Sequence, residues 1–133
     1  MRAENRLVLA VASLLVCAAP LASHHAVTAE FDPSKTITFK GHVSKVEWIN
    51  PHIFVYVDVQ DEAGKTTTWM LQSLPPLFFK GSGLTKEGLL GNNEEVTVSA
   101  YPAKDGTRAF GFLLKLTYPD GHFFSMAPQP QGK

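Results

Sequence analysis

The amino-acid sequence predicts an all-β fold, a small five-stranded barrel that carries one short helix. Short segments of alternating apolar and polar residues recur along the chain, and turns rich in Gly, Pro, Asp and Asn separate them. The first segment is unusually long, and its apolar positions change phase near Ser44, as one extra residue in a bulged strand would cause. Between the strands, only Leu84 to Leu90 is typical of a helix.

The first strand is predicted to bend at a bulge near Ser44–Lys45. Its apolar face before the bulge and after it is formed by Ile37, Phe39, Gly41 and Val43, and then by Val46 and Trp48. Asn50-Pro51 ends this strand, because Pro has no N–H and Asn before Pro favours a turn. His52 therefore stands at the start of the second strand. In that strand the alternating apolar positions are Ile53, Val55, Val57 and Val59.

The remaining elements follow in order. A β-branched third strand at Thr66 to Leu71 leads into a connector at Leu74 to Gly83 that is rich in Pro and Gly. The helix that comes next has Thr85 as its predicted N-cap and Gly91 as its stop. The fourth and fifth strands and a short closing strand are marked by Val96, Val98 and Ala100, then Phe110, Phe112, Leu114 and Leu116, then Phe123 and Phe124.

Three strands, a short helix and a two-stranded hairpin, with a long bulged first strand, form the order of the Greek-key barrel called the OB-fold. We therefore predict an OB-type barrel. A plain antiparallel sandwich is the alternative that the same strands would allow.

The N-terminus predicts export. Arg2 and Arg6 precede an apolar run, Leu7 to Leu21, that is too short for a spanning helix and is followed by small residues. Cleavage after Ser23 is favoured over Ala22, and Ala29 is a third site that satisfies the small-residue rule. A retained membrane anchor is the alternative. The predicted organisation is a signal peptide (1–23), an extended arm (24–35), the barrel domain (36–126) and a disordered Pro- and Gln-rich tail (127–133).

The single cysteine and the balance of charged residues argue against several kinds of function, among them thiolate metal binding and nucleic-acid binding. Cys17 is the only cysteine and lies in the predicted signal, so the mature chain has no disulfide and no thiolate metal site. Lipidation at Cys17 is not favoured, because Val16 is bulky where a small residue is expected. The whole chain has 12 basic and 12 acidic residues. Because this balance lacks the basic surplus of a phosphate-binding surface, we predict no nucleic-acid partner.

Several motifs together resemble a known family. They are His24-His25 with Glu30-Phe31-Asp32, then Gly-x-Val-x-x-Val-x-Trp-x-Asn-Pro-His at 41–52, and Tyr-Pro-Ala-Lys-Asp-Gly at 101–106. Over almost the whole mature chain they resemble a family of small exported bacterial proteins of unknown function. The chain is also distantly similar to periplasmic OB-fold proteins, which implies ligand binding more than catalysis.

The histidine pair predicts a metal site. A mature N-terminus at or next to His24-His25 joins a free amine to imidazoles, a nitrogen donor set that suits Cu(II) or Ni(II) in square-planar geometry. If Ser23 is first, His25 is the third residue and backbone amides can complete the coordination. If His24 is first, further ligands are needed, and the candidates are His52, His42 and His122. The alternative is that the pair is solvated polar sequence.

A second candidate site lies on the second and third strands. Phe54 and Tyr56 fall on the face opposite the apolar row of the second strand, and with Trp69 they are predicted to form an aromatic ligand platform. Asn50 and His52 would border it. Trp48 is counted among the ligand-binding candidates and is also predicted to pack in the core. His52 has two interpretations, because it either donates to a backbone carbonyl in the turn or points into the ligand cleft.

The sequence gives little support for catalysis. The predicted mature chain has no cysteine, no Gly-x-Ser-x-Gly and no His-Glu-x-x-His motif. We therefore predict a non-enzymatic, periplasmic or secreted binding protein without a membrane span after processing. Its ligand would be a small molecule or a metal ion such as Cu(II). The alternative is a protein-interaction module that uses the aromatic face of the second and third strands.

Overall fold

The computed structural model describes residues 27–107 and 109–126. In them the chain forms six strands, a helical turn at residues 27–30, a short 3-10 helix and an α-helix of five residues. The strands are β1 (Ile37–Trp48), β2 (Ile53–Gln60), β3 (Thr66–Gln72), β4 (Glu95–Pro102), β5 (Phe110–Thr117) and β6 (Phe123–Ser125). The 3-10 helix is Pro76–Phe79, and the α-helix, α1, is Lys86–Leu90. The predicted signal peptide and C-terminal tail lie outside the described residues.

The sheet closes on itself. β1 pairs antiparallel with β2 and also with β4, β4 pairs with β5, and β3 closes the ring through a parallel pairing with β5. The result is a five-stranded barrel to which β6 adds a short extension beside β5. This is the OB-type arrangement, so the predicted fold class is confirmed.

The bulge bends β1, and this one strand pairs with both β2 and β4. The register with β2 shifts between Val43 and Lys45, as the change of phase in the sequence predicts. Gly41 precedes the bulge at a point of close backbone approach. A Cβ atom on Gly41 would lie 2.5 Å from the carbonyl oxygen of Asp58 and 2.7 Å from Val57 Cγ1. Glycine is therefore required here for its small size, because β2 lies too close to β1 at this position to leave room for a side chain.

The inner faces of the strands form the main core. Its fully buried members include Ile53, Val55, Val57, Leu71, Val98, Leu113 and Leu116. Trp48 lies on the same inner face, opposite Ile53, but at the end of the barrel. It is partly buried and packs against the core, on the face that the sequence predicts.

Helix α1 is capped as predicted. The Thr85 side chain accepts a hydrogen bond from the Gly88 amide at 3.0 Å, and Gly91 ends the helix with a φ of 59°. Leu89 is buried in the core. The Tyr118 hydroxyl donates to the carbonyl oxygens of Gly88 at 2.9 Å and Leu89 at 2.7 Å. Burial, with a smaller contribution from nearby Glu94, raises the pKa of Tyr118 to about 12.

The N-terminal arm packs on the outside of the barrel. Residues 27–30 form one helical turn, and Phe31 bridges to Ala103 just after β4. The Phe31 ring is fully buried, with its centroid 5.1 Å from that of Phe110 and 5.7 Å from that of Phe112. These three rings form a second, smaller apolar cluster on the outer face of the barrel. The arm is thus part of the packed structure.

Candidate functional site

An open cleft lies at the end of the barrel where β1 ends. It has a volume of about 590 Å³ and is bordered by the β1–β2 turn on one side and by the connector between β3 and α1 on the other. Its lining residues are Trp48, Asn50, Pro76, Leu77, Phe79, Lys80, Gly81, Gly83, Leu84 and Thr85. A cleft of this volume with a mainly apolar lining is typical of small-molecule sites.

Local sequence fixes the shape of the connector. Pro76 begins the 3-10 helix, and Gly81 and Gly83 adopt φ values of 79° and 82° that other residues rarely adopt. The hydroxyl of Ser82 donates to the Phe79 carbonyl oxygen at 2.7 Å and accepts from the Leu84 amide at 3.2 Å. These bonds hold the connector as a curved wall beside Trp48.

The cleft has few polar side chains, and its charge is positive. Asn50 contributes an amide and Thr85 a hydroxyl, and among the described residues Lys80 is the only charged one in the lining. The indole of Trp48 and the side chains of Leu77 and Phe79 contribute apolar surface. This combination suits a ligand with an apolar body and an anionic group.

Large apolar side chains surround the cleft and remain in contact with solvent. Leu77 is 75% exposed, Phe78 is 66% exposed, and Ile49, between the lining residues Trp48 and Asn50, is 50% exposed. Monomeric soluble proteins usually expose such side chains singly. Three of them are found at this end of the barrel.

The face predicted to bind ligand on β2 is engaged in contacts within the chain. Tyr56 donates through its hydroxyl to Glu47 Oε2 at 3.1 Å, and Lys45 pairs with the other oxygen of Glu47 while lying 5.0 Å from the centre of the Tyr56 ring. Lys45 holds the pKa of Glu47 below its usual value, and burial followed by the bond to Glu47 raises the pKa of Tyr56. Phe54 on β2 is the pairing partner of Glu47 on β1 and is half-buried.

Trp69 does not join that face, and the predicted platform of Phe54, Tyr56 and Trp69 is wrong in this respect. Trp69 pairs with Val57, whose side chain points into the barrel, and its ring centroid lies 4.6 Å from that of Phe39. The pairing partner of Tyr56 on β3 is Met70. The alternation of β3 is visible in the sequence, but its register against β2 is not, and a shift of one residue exchanges the two faces.

His52 contacts the backbone of the neighbouring strand end. Its Nδ1 lies 3.1 Å from the carbonyl oxygen of Ser73, and its ring meets Phe54 edge to face with centroids 6.4 Å apart. The preceding Asn50–Pro51 peptide bond is cis. Of the two interpretations of His52, the contact to a backbone carbonyl is the one that the geometry matches. Of the predicted ligand-binding residues, only Trp48 and Asn50 line the cleft.

Ser73 is a polar residue that the sequence did not single out. It is fully buried, and in the described part of the chain its hydroxyl has no hydrogen-bond partner. Its amide donates to the Ile53 carbonyl oxygen at 2.8 Å, which places it beside the start of β2. The other residues that were missed are Leu77, Phe79, Lys80 and Thr85 of the cleft. The available signal was the run Pro-Pro-Leu-Phe-Phe, which puts apolar residues in a predicted connector.

The histidines proposed as metal ligands are not brought together in the described residues. His24 and His25 fall outside those residues. His42 Nδ1 lies 2.9 Å from the Asn93 carbonyl oxygen, and His122 pairs with Asp120 and stacks on Tyr118 with centroids 4.3 Å apart. Within residues 27–107 and 109–126, no group of three or more His, Cys, Asp or Glu side chains is arranged to hold a metal ion.

In the same residues, every helix is too short or too polar to cross a membrane.

Comparison with known proteins identifies the family. No curated protein and no solved structure matches the chain. One family model matches residues 11–112, which include the arm, strands β1 to β4, helix α1, the cleft and the start of β5. Because this match covers most of the sequence, the chain belongs to DUF6152, a family of unknown function.

Proposed function

We propose that this is an exported, periplasmic or secreted, non-enzymatic binding protein whose site is the cleft at the end of the barrel. Its ligand is a small molecule with an apolar body and one anionic group. The observation that carries this proposal is the cleft of about 590 Å³ with a mainly apolar lining, in which Lys80 is the only charged residue among those that the structure describes. Export rests on the charged and apolar N-terminal segment of the sequence.

Two features of the lining favour binding. The connector wall is held by the bonds of Ser82, so little ordering is needed when a ligand enters. Lys80 lines the cleft together with Leu77 and Phe79, so a positive charge and apolar side chains border the same space.

A pair of fluorescent probes tests the ligand class. Anilinonaphthalene sulfonate has an aromatic body and one anionic group, whereas N-phenylnaphthylamine has a similar body without charge. We expect both to bind at the cleft and the sulfonate to bind more tightly. Trp48 reports the binding by energy transfer, provided that Trp69, the other tryptophan, is replaced in a Trp69→Phe background.

Substitution of the lysine separates charge from apolar contact. Lys80→Ala should weaken binding of the sulfonate about five- to tenfold and leave the neutral probe almost unchanged. Lys65→Ala, which removes an exposed lysine outside the lining, is the matched control. Equal binding of the sulfonate by wild type and Lys80→Ala would contradict the proposed ligand class. Absence of transfer from Trp48 would contradict the proposed site.

The histidine pair supports a second candidate function, Cu(II) binding by the mature N-terminus. Residues 27–30 are fixed beside β4, because the Lys104 amide donates to the Glu30 carbonyl oxygen at 2.9 Å. If cleavage falls after Ala22 or Ser23, a free amine and His24-His25 directly precede this fixed turn. Amine and imidazole nitrogens of this kind suit one Cu(II) in tetragonal geometry.

The mass of the exported protein is the first test of copper binding. A mass that shows cleavage after Ala29 would remove both histidines and exclude the site. If Ser23 is first, His25→Ala should abolish binding, and if His24 is first, His24→Ala should be the more damaging change. Binding should weaken as the pH falls, since the ligand nitrogens must lose protons to bind the ion.

The alternative of a protein-interaction module on the aromatic face of β2 and β3 has less support, since Trp69 lies inside the barrel. Co-purification of a stoichiometric protein that protects Phe54 and Tyr56 from solvent, with an empty cleft, would favour that alternative.

A further inference from the structure

The 3-10 helix Pro76–Phe79 presents two large apolar side chains to solvent. Leu77 and Phe78 are 75% and 66% exposed. The backbone beneath them is closed by hydrogen bonds from the Phe78 amide to the Pro75 carbonyl oxygen at 3.1 Å and from the Lys80 amide to that of Leu77 at 3.3 Å. We call Leu77 and Phe78 the apolar tip. Because the backbone of the tip is already ordered, contact with an apolar phase requires little further loss of entropy.

The area of the tip is too small for a stable protein interface. With Ile49 included, the three exposed side chains offer on the order of 300 Å² of apolar surface. A stable protein–protein interface needs about 800 Å² from each partner. A lipid interface has no such minimum, because each apolar side chain that enters it gains transfer free energy independently.

The charge around the tip favours an anionic surface. The sequence has no acidic residue between Glu62 and Glu87. Within that interval Lys80 directly follows the 3-10 helix and is exposed, whereas the charge of Lys86, which begins α1, acts on the carboxylate of Glu47 on β1. A lysine near an anionic membrane surface strengthens binding by about fivefold.

We propose that the apolar tip, together with Ile49, docks the barrel on the surface of an anionic phospholipid bilayer. Leu77 and Phe78 enter the boundary between headgroups and acyl chains, and Lys80 contacts lipid phosphates. The cleft then opens at the lipid surface, since Leu77 is also part of its lining. This goes beyond the proposed function, because docking does not require an occupied cleft.

Vesicle flotation tests the docking. Protein purified after export is mixed with vesicles of phosphatidylcholine alone, or of phosphatidylcholine with about one quarter phosphatidylglycerol. We expect the bound fraction to rise with the anionic lipid and to fall with added salt. Leu77→Ser with Phe78→Ser should lower partitioning about tenfold or more, and Lys80→Glu should lower it on the anionic vesicles only.

Phe123→Ser supplies the matched control. Phe123 is 54% exposed and has a lysine above its ring, Lys115 at 4.1 Å, but it lies on β6 outside the cleft lining. Its replacement should leave flotation unchanged. All the substituted positions are at the surface, and thermal unfolding of each variant checks that it is folded.

Three results would overturn the inference. They are absence of binding to anionic vesicles, equal flotation of wild type and the double serine variant, and self-association in ultracentrifugation that the same two serines abolish. The last would assign the tip to contact between copies of the chain. Probe binding to the cleft is measured without vesicles, so a failure of docking and a failure of the proposed ligand site are distinguishable.

Discussion

At the residue scale, Gly41 determines how closely β1 can approach β2. A Cβ atom at this position would overlap the Asp58 carbonyl oxygen and Val57 Cγ1. We expect Gly41→Ala to lower the free energy of unfolding by about 2–3 kcal/mol, because backbone atoms would have to move to make room. Urea unfolding measures the change. Thr38→Ala, at an exposed position of the same strand, should cost well under about 1 kcal/mol. Equal effects of the two substitutions would show that β1 and β2 are not tightly packed at Gly41.

Ser73 has a buried hydroxyl group that finds no hydrogen-bond partner within the described residues. Loss of an unpaired buried polar group removes a desolvation cost, so Ser73→Ala should leave stability unchanged or raise it by about 1 kcal/mol. Ser82→Ala makes the same chemical change where the hydroxyl has two partners, and it should destabilise. Chemical denaturation of both variants gives the comparison. A loss above about 1 kcal/mol for Ser73→Ala would mean that a water or ligand normally satisfies this group.

At the element scale, Tyr118 connects α1 to the end of β5. Its pKa is raised from 10.0 to about 12. A tyrosine whose folded pKa exceeds its unfolded pKa contributes stability that is complete below pH 10 and is lost as the pH rises through about 12. We expect a loss of about 1–2 kcal/mol over this interval.

Tyr118→Phe isolates that contribution from other groups that titrate in alkali. The variant should be less stable at neutral pH by about 1 kcal/mol, because the bonds to Gly88 and Leu89 are lost. Its stability should then fall less steeply above pH 10. Guanidinium unfolding at several alkaline pH values measures both slopes. Parallel slopes would show that Tyr118 ionises as freely in the folded protein as in the unfolded chain.

The elements themselves could largely be predicted from the sequence, whereas of the candidate site only Trp48 and Asn50 were predicted. Alternation and turn residues indicate each strand, the bulge near Ser44 and the cap at Thr85, because these signals are local. The inward position of Trp69 depends on its pairing with Val57, which is a relation between strands. The cleft depends on how the connector folds against Trp48. Its residues follow no periodic pattern, so the sequence predicted a loop there without a function.

At the scale of the whole molecule, the arm extends the folded unit beyond the barrel. Phe31 is fully buried against Phe110 and Phe112. Phe31→Ala should therefore cost about 3–4 kcal/mol, as for a core aromatic residue. Thermal or urea unfolding checks the value, with the exposed Pro33→Ala as a control on the same arm. A cost below about 1 kcal/mol would show that the arm only rests on the barrel.

The closure of the barrel also affects when the chain can fold. Ile37 pairs with Ala100, and β3 pairs with β5, so the ring is completed only when segments far apart in the sequence meet. Pairings of this kind make folding slow, because the entropy of a long loop is lost before the contacts form. A chain that is threaded through a membrane in extended form gains from such slowness. With the export proposed above, the pairing that closes the barrel would thus help keep the chain open until transport is complete.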